Sequence, residues 1–206
     1  MDSAARRVLD TPLNRTARML DQPWIDPNFV TAAGLVIGVS GAVAAGLQFW
    51  SLALTLWLLS RLADGLDGPL ARSRAAAGNP VSGAGGFLDI SADFVVYGST
   101  VLGVAFGTSR GFNAPIWPFL LVLVAYYVNG SSLLAFSSIA EKAKRPLDNG
   151  RSLSFRTSFA GATETILVHT LWLLFPASAW PLAFVWTAIV LADAVRQIVV
   201  GYRLLS

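Results

Sequence analysis

Residues 64–93 read DGLDGPLARSRAAAGNPVSGAGGFLDISAD. Apolar runs flank them on both sides: ALTLWLLSRLA over 53–63 and FVVYGSTVLGVAFG over 94–107. Asp64 and Asp67 are three residues apart, and Asp89 and Asp93 are four apart. On helices, each pair shares a face with Cβ atoms roughly 5–6 Å apart. A short connection between two apolar helices makes them antiparallel. The end of one then lies beside the start of the next, and the two carboxylate pairs can converge. Charged groups in such segments are expensive and mark functional sites by default.

The rest of the chain places this stretch in a membrane. Of 206 residues, 54% are hydrophobic and 13% charged, against about 25% charged in an average soluble domain. Six apolar runs fall near the ~20 residues that a bilayer requires: about 29–49, 51–72, 86–107, 116–141, 155–175 and 180–203. The first follows Asp26 and Pro27, a capping residue and a residue suited to the first turn. LQFWS is a tight link between the first two runs, while TSRGFNAP and FPASAWP join later ones. The fold class expected is an all-α membrane protein with six transmembrane helices, a single domain over 1–206.

Of the 15 Lys and Arg, all except Arg110 fall in the loops and helix ends of one face. That bias predicts both termini and the four aspartates on the cytoplasmic side, in the cytoplasmic membrane if the source is bacterial. The net charge of +3 therefore reads as topology and not as nucleic-acid binding. Residues 1–28 have no apolar core of the signal-peptide kind. Over about 11–21, Thr11 can cap and Pro12 suits a first turn, and Leu13, Ala17 and Leu20 share a face with Leu9. This predicts a short interfacial amphipathic helix, with a frayed terminus as the plain alternative.

The chain has no cysteine and one histidine, so thiolate and His-rich metal sites are excluded. Oxygen ligands favour hard divalent ions such as Mg²⁺ or Mn²⁺. Four close carboxylates repel unless protons or cations neutralise them. Two bridged metal ions would do so, and such sites act on phosphate esters. Gly65, Gly68, Gly85 and Gly86 leave room for a ligand to approach the backbone. Arg72 is a possible phosphate partner. Ordinary charge at helix ends would explain one or two aspartates, but explains poorly two facing pairs with glycines between them.

The pattern Asp64-x2-Asp67-Gly68-x2-Ala71-Arg72, then Gly85-x3-Asp89-x3-Asp93, resembles the signature of the CDP-alcohol phosphatidyltransferase family. Pro27-Asn28-x2-Thr31 is similar to that family's entry segment. The connection 73–84 is longer than is usual in the family. The resemblance implies that Asp64, Asp67, Asp89 and Asp93 ligate two divalent ions. It implies that Asp93 is also the catalytic base for the acceptor alcohol. Thr31, Asp64, Gly68, Ala71, Arg72 and Gly85 would bind the nucleotide. The implied reaction moves a phosphatidyl group from CDP-diacylglycerol to a small polar alcohol and releases CMP, in phospholipid biosynthesis. A homodimer is implied as well.

Two other functions fit the same residues. One is transfer of a phospho-headgroup from a CDP-linked alcohol to a lipid alcohol. The other is a cation transporter, although transport sites lie nearer the midplane. Acceptor-binding candidates are Arg156 and Glu164. Members with phosphorylated acceptors tend to carry basic side chains there. Here GATET places an acid at 164, which favours a neutral or cationic headgroup unless Glu164 pairs with Arg156 or Arg61. Arg61 reads as the i,i+3 partner of Asp64, and Arg196 as that of Asp193. His169 reads as a packed, hydrogen-bonded side chain. Trp50, Trp117, Trp172 and Trp180 read as interfacial anchors.

Overall fold

A computed structural model describes residues 26–76, 83–142 and 160–206. Six helices follow in order: α1 Pro27–Gly46, α2 Trp50–Ala76, α3 Gly83–Phe112, α4 Trp117–Lys142, α5 Ala162–Leu174 and α6 Ala179–Leu205. A 3₁₀ turn, Pro176–Ser178, leads into α6. The expected interfacial helix over 11–21 lies outside the described residues.

Among the described residues, four segments are long and apolar enough to cross a membrane: α1, α3, α4 and Pro176–Leu205. α2 is longer than α1, but Arg61, Asp64, Asp67, Arg72 and Arg74 interrupt its apolar run. α5 has 13 residues, about 20 Å at a helix's rise per residue. That is short of the ~30 Å hydrocarbon core. Its expected start at 155 is thus corrected for the described part: Ala160 is non-helical and Gly161 is the N-cap.

The packing suits lipid as solvent. α1 turns Phe29, Val36 and Val43 outward and buries Gly34, Gly38, Gly41, Ala42 and Ala45. Lipid removes the advantage of burying large apolar groups, so small residues go to the interfaces, where backbones approach closely. α1 presses on α2 and α3 through this face. A Cβ on Gly103 would overlap the Ala42 carbonyl, and one on Gly107 would overlap that of Ala45. On the α2 side, a Cβ on Gly34 would meet that of Ala63 at 3.1 Å, and Ser60 Oγ donates to the Gly34 carbonyl at 2.7 Å.

α2 and α3, expected as a directly packed pair, make few close backbone approaches to each other. Each packs on α1 instead, which leaves a gap between them for polar side chains. α4 packs mainly on α6, and α5 on α2. Trp57 donates to Thr170 Oγ1 at 3.0 Å across the α2–α5 contact.

Asp26 caps α1 as its sequence predicts: its carboxylate accepts from the Asn28 N–H at 2.8 Å, and Pro27 takes the first turn. Asp26→Ala is expected to lower stability by about 1 kcal/mol, read as a lower unfolding midpoint in detergent.

Candidate active site

On α2, Trp57, Arg61, Asp64, Asp67 and Gly68 recur at intervals of one to four residues along one stripe. On α3, Gly85, Asp89, Asp93 and Tyr97 recur every four. These two stripes face each other across the gap that α1 holds open. α1 contributes Thr31, and a narrow cleft is lined by Thr31, Gly34, Ser60, Arg61, Asp64 and Ala92.

The aspartates approach one another without closing into a single cluster. Asp64 lies within side-chain hydrogen-bonding reach of Asp89 and Asp93. Asp67 is buried and accepts from Thr31 Oγ1 at 2.5 Å. Asp64 and Asp93 are about a third exposed, at 29% and 30% of their side-chain surface. Both therefore remain open to a ligand from outside the helices. Pro69 sits inside α2, one turn past Gly65. It has no N–H for the Gly65 carbonyl, so that oxygen loses its helical partner beside the aspartates.

Arg61 has a different principal partner from the one its spacing suggests. Its Nη1 donates to Asp93 Oδ1 at 2.6 Å and is 3.7 Å from Asp64 Oδ2. The i,i+3 pair exists but is the longer contact. Nη1 is also 3.3 Å from Tyr97 OH, and Nη2 donates to Ser60 Oγ at 3.2 Å.

The remaining candidates divide. Arg72 lies over Gly68, where a Cβ would meet its Nη1 at 3.3 Å, and Arg72 and Ala71 are exposed. Gly85 lies beside Asn28, whose Oδ1 would be 3.2 Å from an added Cβ. Glu164 occupies the first turn of α5 with its Oε2 against Gly161, and Arg61 is held by Asp93 instead. Arg156 lies outside the described residues. Asn129 accepts from Gln197, while Ser131, which is exposed, and Ser132 donate to carbonyls of their own helix.

His169 is fully buried and pairs with Tyr126 OH at 3.0 Å, as expected of a packed histidine. Trp172 is not an interfacial anchor. It is fully buried, stacked on His169 and edge-on to Phe119, because α5 is short and turns this position into the bundle. The Asp193–Arg196 pair is present at 3.9 Å, and buried Asp193 also accepts from Gln197 at 2.9 Å.

Tyr97 and Ser60 were not singled out by spacing, whereas Asn28 was named in the segment Pro27-Asn28-x2-Thr31. Tyr97 and Ser60 lie one turn beyond the aspartates on the same stripes. Extending each stripe by a turn would have found them.

As they stand, no three acidic or histidine side chains among the described residues are gathered closely enough to cage an ion. The facing oxygen of Asp93 is taken by Arg61. The donor chemistry still suits a hard divalent ion: Asp64, Asp89 and Asp93 offer carboxylate oxygens near one another, with one guanidinium among them.

The CDP-alcohol phosphatidyltransferase profile matches residues 24–196. Inner membrane protein YnjF of Escherichia coli (strain K12) is 39% identical over 170 residues, covering 80% of this chain and 77% of that protein. The archaetidylinositol phosphate synthase of Pyrococcus horikoshii is 32% identical over 154 residues, covering 70% and 78%. The phosphatidylinositol phosphate synthase of Mycobacterium tuberculosis, solved with CDP-DAG bound, has a TM-score of 0.61 at 20% identity, over 93% of this chain and 90% of that one. At that identity the likeness is one of fold. The apolar helices together with the inner-membrane relative make this an integral membrane protein. The chain belongs to the CDP-alcohol phosphatidyltransferase family, enzymes that transfer phosphatidyl groups.

Proposed function

We propose that this enzyme transfers a phosphatidyl group from CDP-diacylglycerol to a small polar alcohol, with CMP as the leaving group. The observation that carries this reading is the approach of Asp64 to Asp89 and Asp93, beside a narrow cleft that Asp64 lines with Thr31 and Gly34. The CDP-DAG bound in the solved phosphatidylinositol phosphate synthase supports a CDP-lipid donor.

Asp64, Asp67, Asp89 and Asp93 would hold two divalent ions, Mg²⁺ or Mn²⁺. Bound there, the ions would supply positive charge against the donor's diphosphate. The protein's own work is positioning. Thr31 orients Asp67 through its 2.5 Å hydrogen bond. Gly68 and Gly85 keep the walls low for the nucleotide, and Arg72 and Ala71 at the exposed rim line its path. The acceptor oxygen attacks the phosphorus of the phosphatidyl group, its proton passes to Asp93, and the bond from phosphorus to the CMP oxygen breaks. Catalysis of this kind rests on alignment and charge stabilisation, with no covalent intermediate.

The acceptor's place is argued from register. α5 runs antiparallel to α2 with Thr170 against Trp57. Counting back to 163 and forward to 64 brings the first turn of α5 level with Asp64. Glu164 stands there and, with Arg156 earlier in the sequence, is a candidate for the acceptor's polar groups. The basic bias of one face supports a cytoplasmic active site and cytoplasmic termini. A homodimer is part of the same reading.

Purified protein with CDP-diacylglycerol and Mn²⁺, screened with serine, choline, inositol, inositol phosphate and glycerol phosphate, tests the proposal. The expected result is CMP release well above the acceptor-free background with one of these alcohols. No release with any of them, together with lipid formed from CDP-choline and diacylglycerol, would show that the roles of donor and acceptor are reversed.

A further inference from the structure

The placement of Arg61 differs from that of a surface counter-ion. Its side chain is 7% exposed. The guanidinium carbon is 5.2 Å from the Trp57 ring centroid and 4.9 Å from that of Tyr97. A planar guanidinium suits such an aromatic cage better than an ammonium does. His169 backs both rings, at 5.0 Å from Trp57 and 5.6 Å from Tyr97. Ser60 gives its own proton to the Gly34 carbonyl and so presents a lone pair to Nη2. The buried Nε has no hydrogen-bond partner. The cage thus holds the cation from behind and directs one nitrogen at Asp93 and Asp64.

Those same carboxylates are the ones a divalent ion would need. A guanidinium and a divalent ion claiming the same oxygens compete, both for lone pairs and through like-charge repulsion. We propose that Arg61 is a built-in counter-cation of the carboxylate site: it holds Asp93 and Asp64 together before metal arrives, and it weakens divalent-ion binding there. Arg61 is a positioning residue in this scheme, since it acts on the metal ligands and not on the substrate. The inference rests on the reading of the four aspartates as a metal site.

The test is Mn²⁺ binding by EDTA-stripped protein in detergent, followed by the EPR signal of free Mn²⁺, without donor or acceptor. Arg61→Met is expected to bind Mn²⁺ about tenfold tighter than the wild type. It is also expected to unfold at a lower temperature in EDTA, with Mn²⁺ restoring the difference. Arg61→Lys keeps the charge and is expected to stay near the wild-type affinity. Arg61→Gln removes the charge but keeps a donor for Asp93, and answers the same question if Arg61→Met does not fold. Wild-type or weaker affinity in the neutral variants overturns the proposal and leaves the metal-site reading intact. If neither the wild type nor any variant binds Mn²⁺ saturably, the metal-site reading itself fails.

Discussion

Asp93→Asn is expected to lower CMP release by about 10²–10⁴-fold, the range associated with loss of a positioned acid–base group. The substitution is nearly isosteric, so shape is kept while charge and basicity are lost. Asp93 is 30% exposed at the side chain and its main partner is the Arg61 nitrogen at 2.6 Å. An amide oxygen can still accept from that nitrogen, so the helices should assemble as before. The measurement is CMP released per mole of protein at saturating donor and Mn²⁺, with size-exclusion and thermal unfolding profiles as controls for folding. A variant that folds and keeps more than about a tenth of the wild-type rate would remove Asp93 from the role of proton acceptor.

Gly103→Val should have the largest effect on the fold. Its new Cβ would fall onto the Ala42 carbonyl, a backbone atom of α1 that cannot rotate away. Overpacking usually costs about 1–3 kcal/mol when side chains can shift, and here none can, so the cost should lie at or above the top of that range. α1 must move off α3, and Thr31 moves with it, so nucleotide-site geometry should suffer together with stability. Gly98→Ala is the matched control on the same helix: nothing lies within 4 Å of its added Cβ. There the change should be neutral, or stabilising by up to about 1 kcal/mol through helix propensity. Thermal unfolding of both variants in one detergent separates the close-approach argument from a general intolerance of α3 to substitution. Equal midpoints for the two would refute it.

Much of the fold was legible because the signals are short-range. Asp26 before Pro27 marks the start of α1, since a cap and its first turn are neighbours in the chain. The apolar runs locate α3, α4 and α6 to within a few residues at most ends. The aspartate pairs are legible for the same reason, because a helix converts spacing of three or four into a shared face. The boundary of α5 was harder. Residues near 155–161 are as compatible with a loop as with a helix, and the described part begins the helix at Ala162. Trp172 was misplaced as a consequence: its distance from an apolar boundary in sequence does not say that a 13-residue helix turns it into the core.

The composition and spacing of this chain are enough to specify a helical membrane enzyme with two acidic stripes, because hydropathy and helical period act over a turn or two. They do not specify which cation meets those acids. Asp64 stands three residues from Arg61, yet the shorter ion pair is with Asp93, across a separation of 32. That choice depends on α1 standing between α2 and α3 through its small-residue face, and on the rings of Trp57 and Tyr97 aiming the guanidinium. Contacts between separate helices depend on the shape of the packed interfaces, and local spacing carries no record of them.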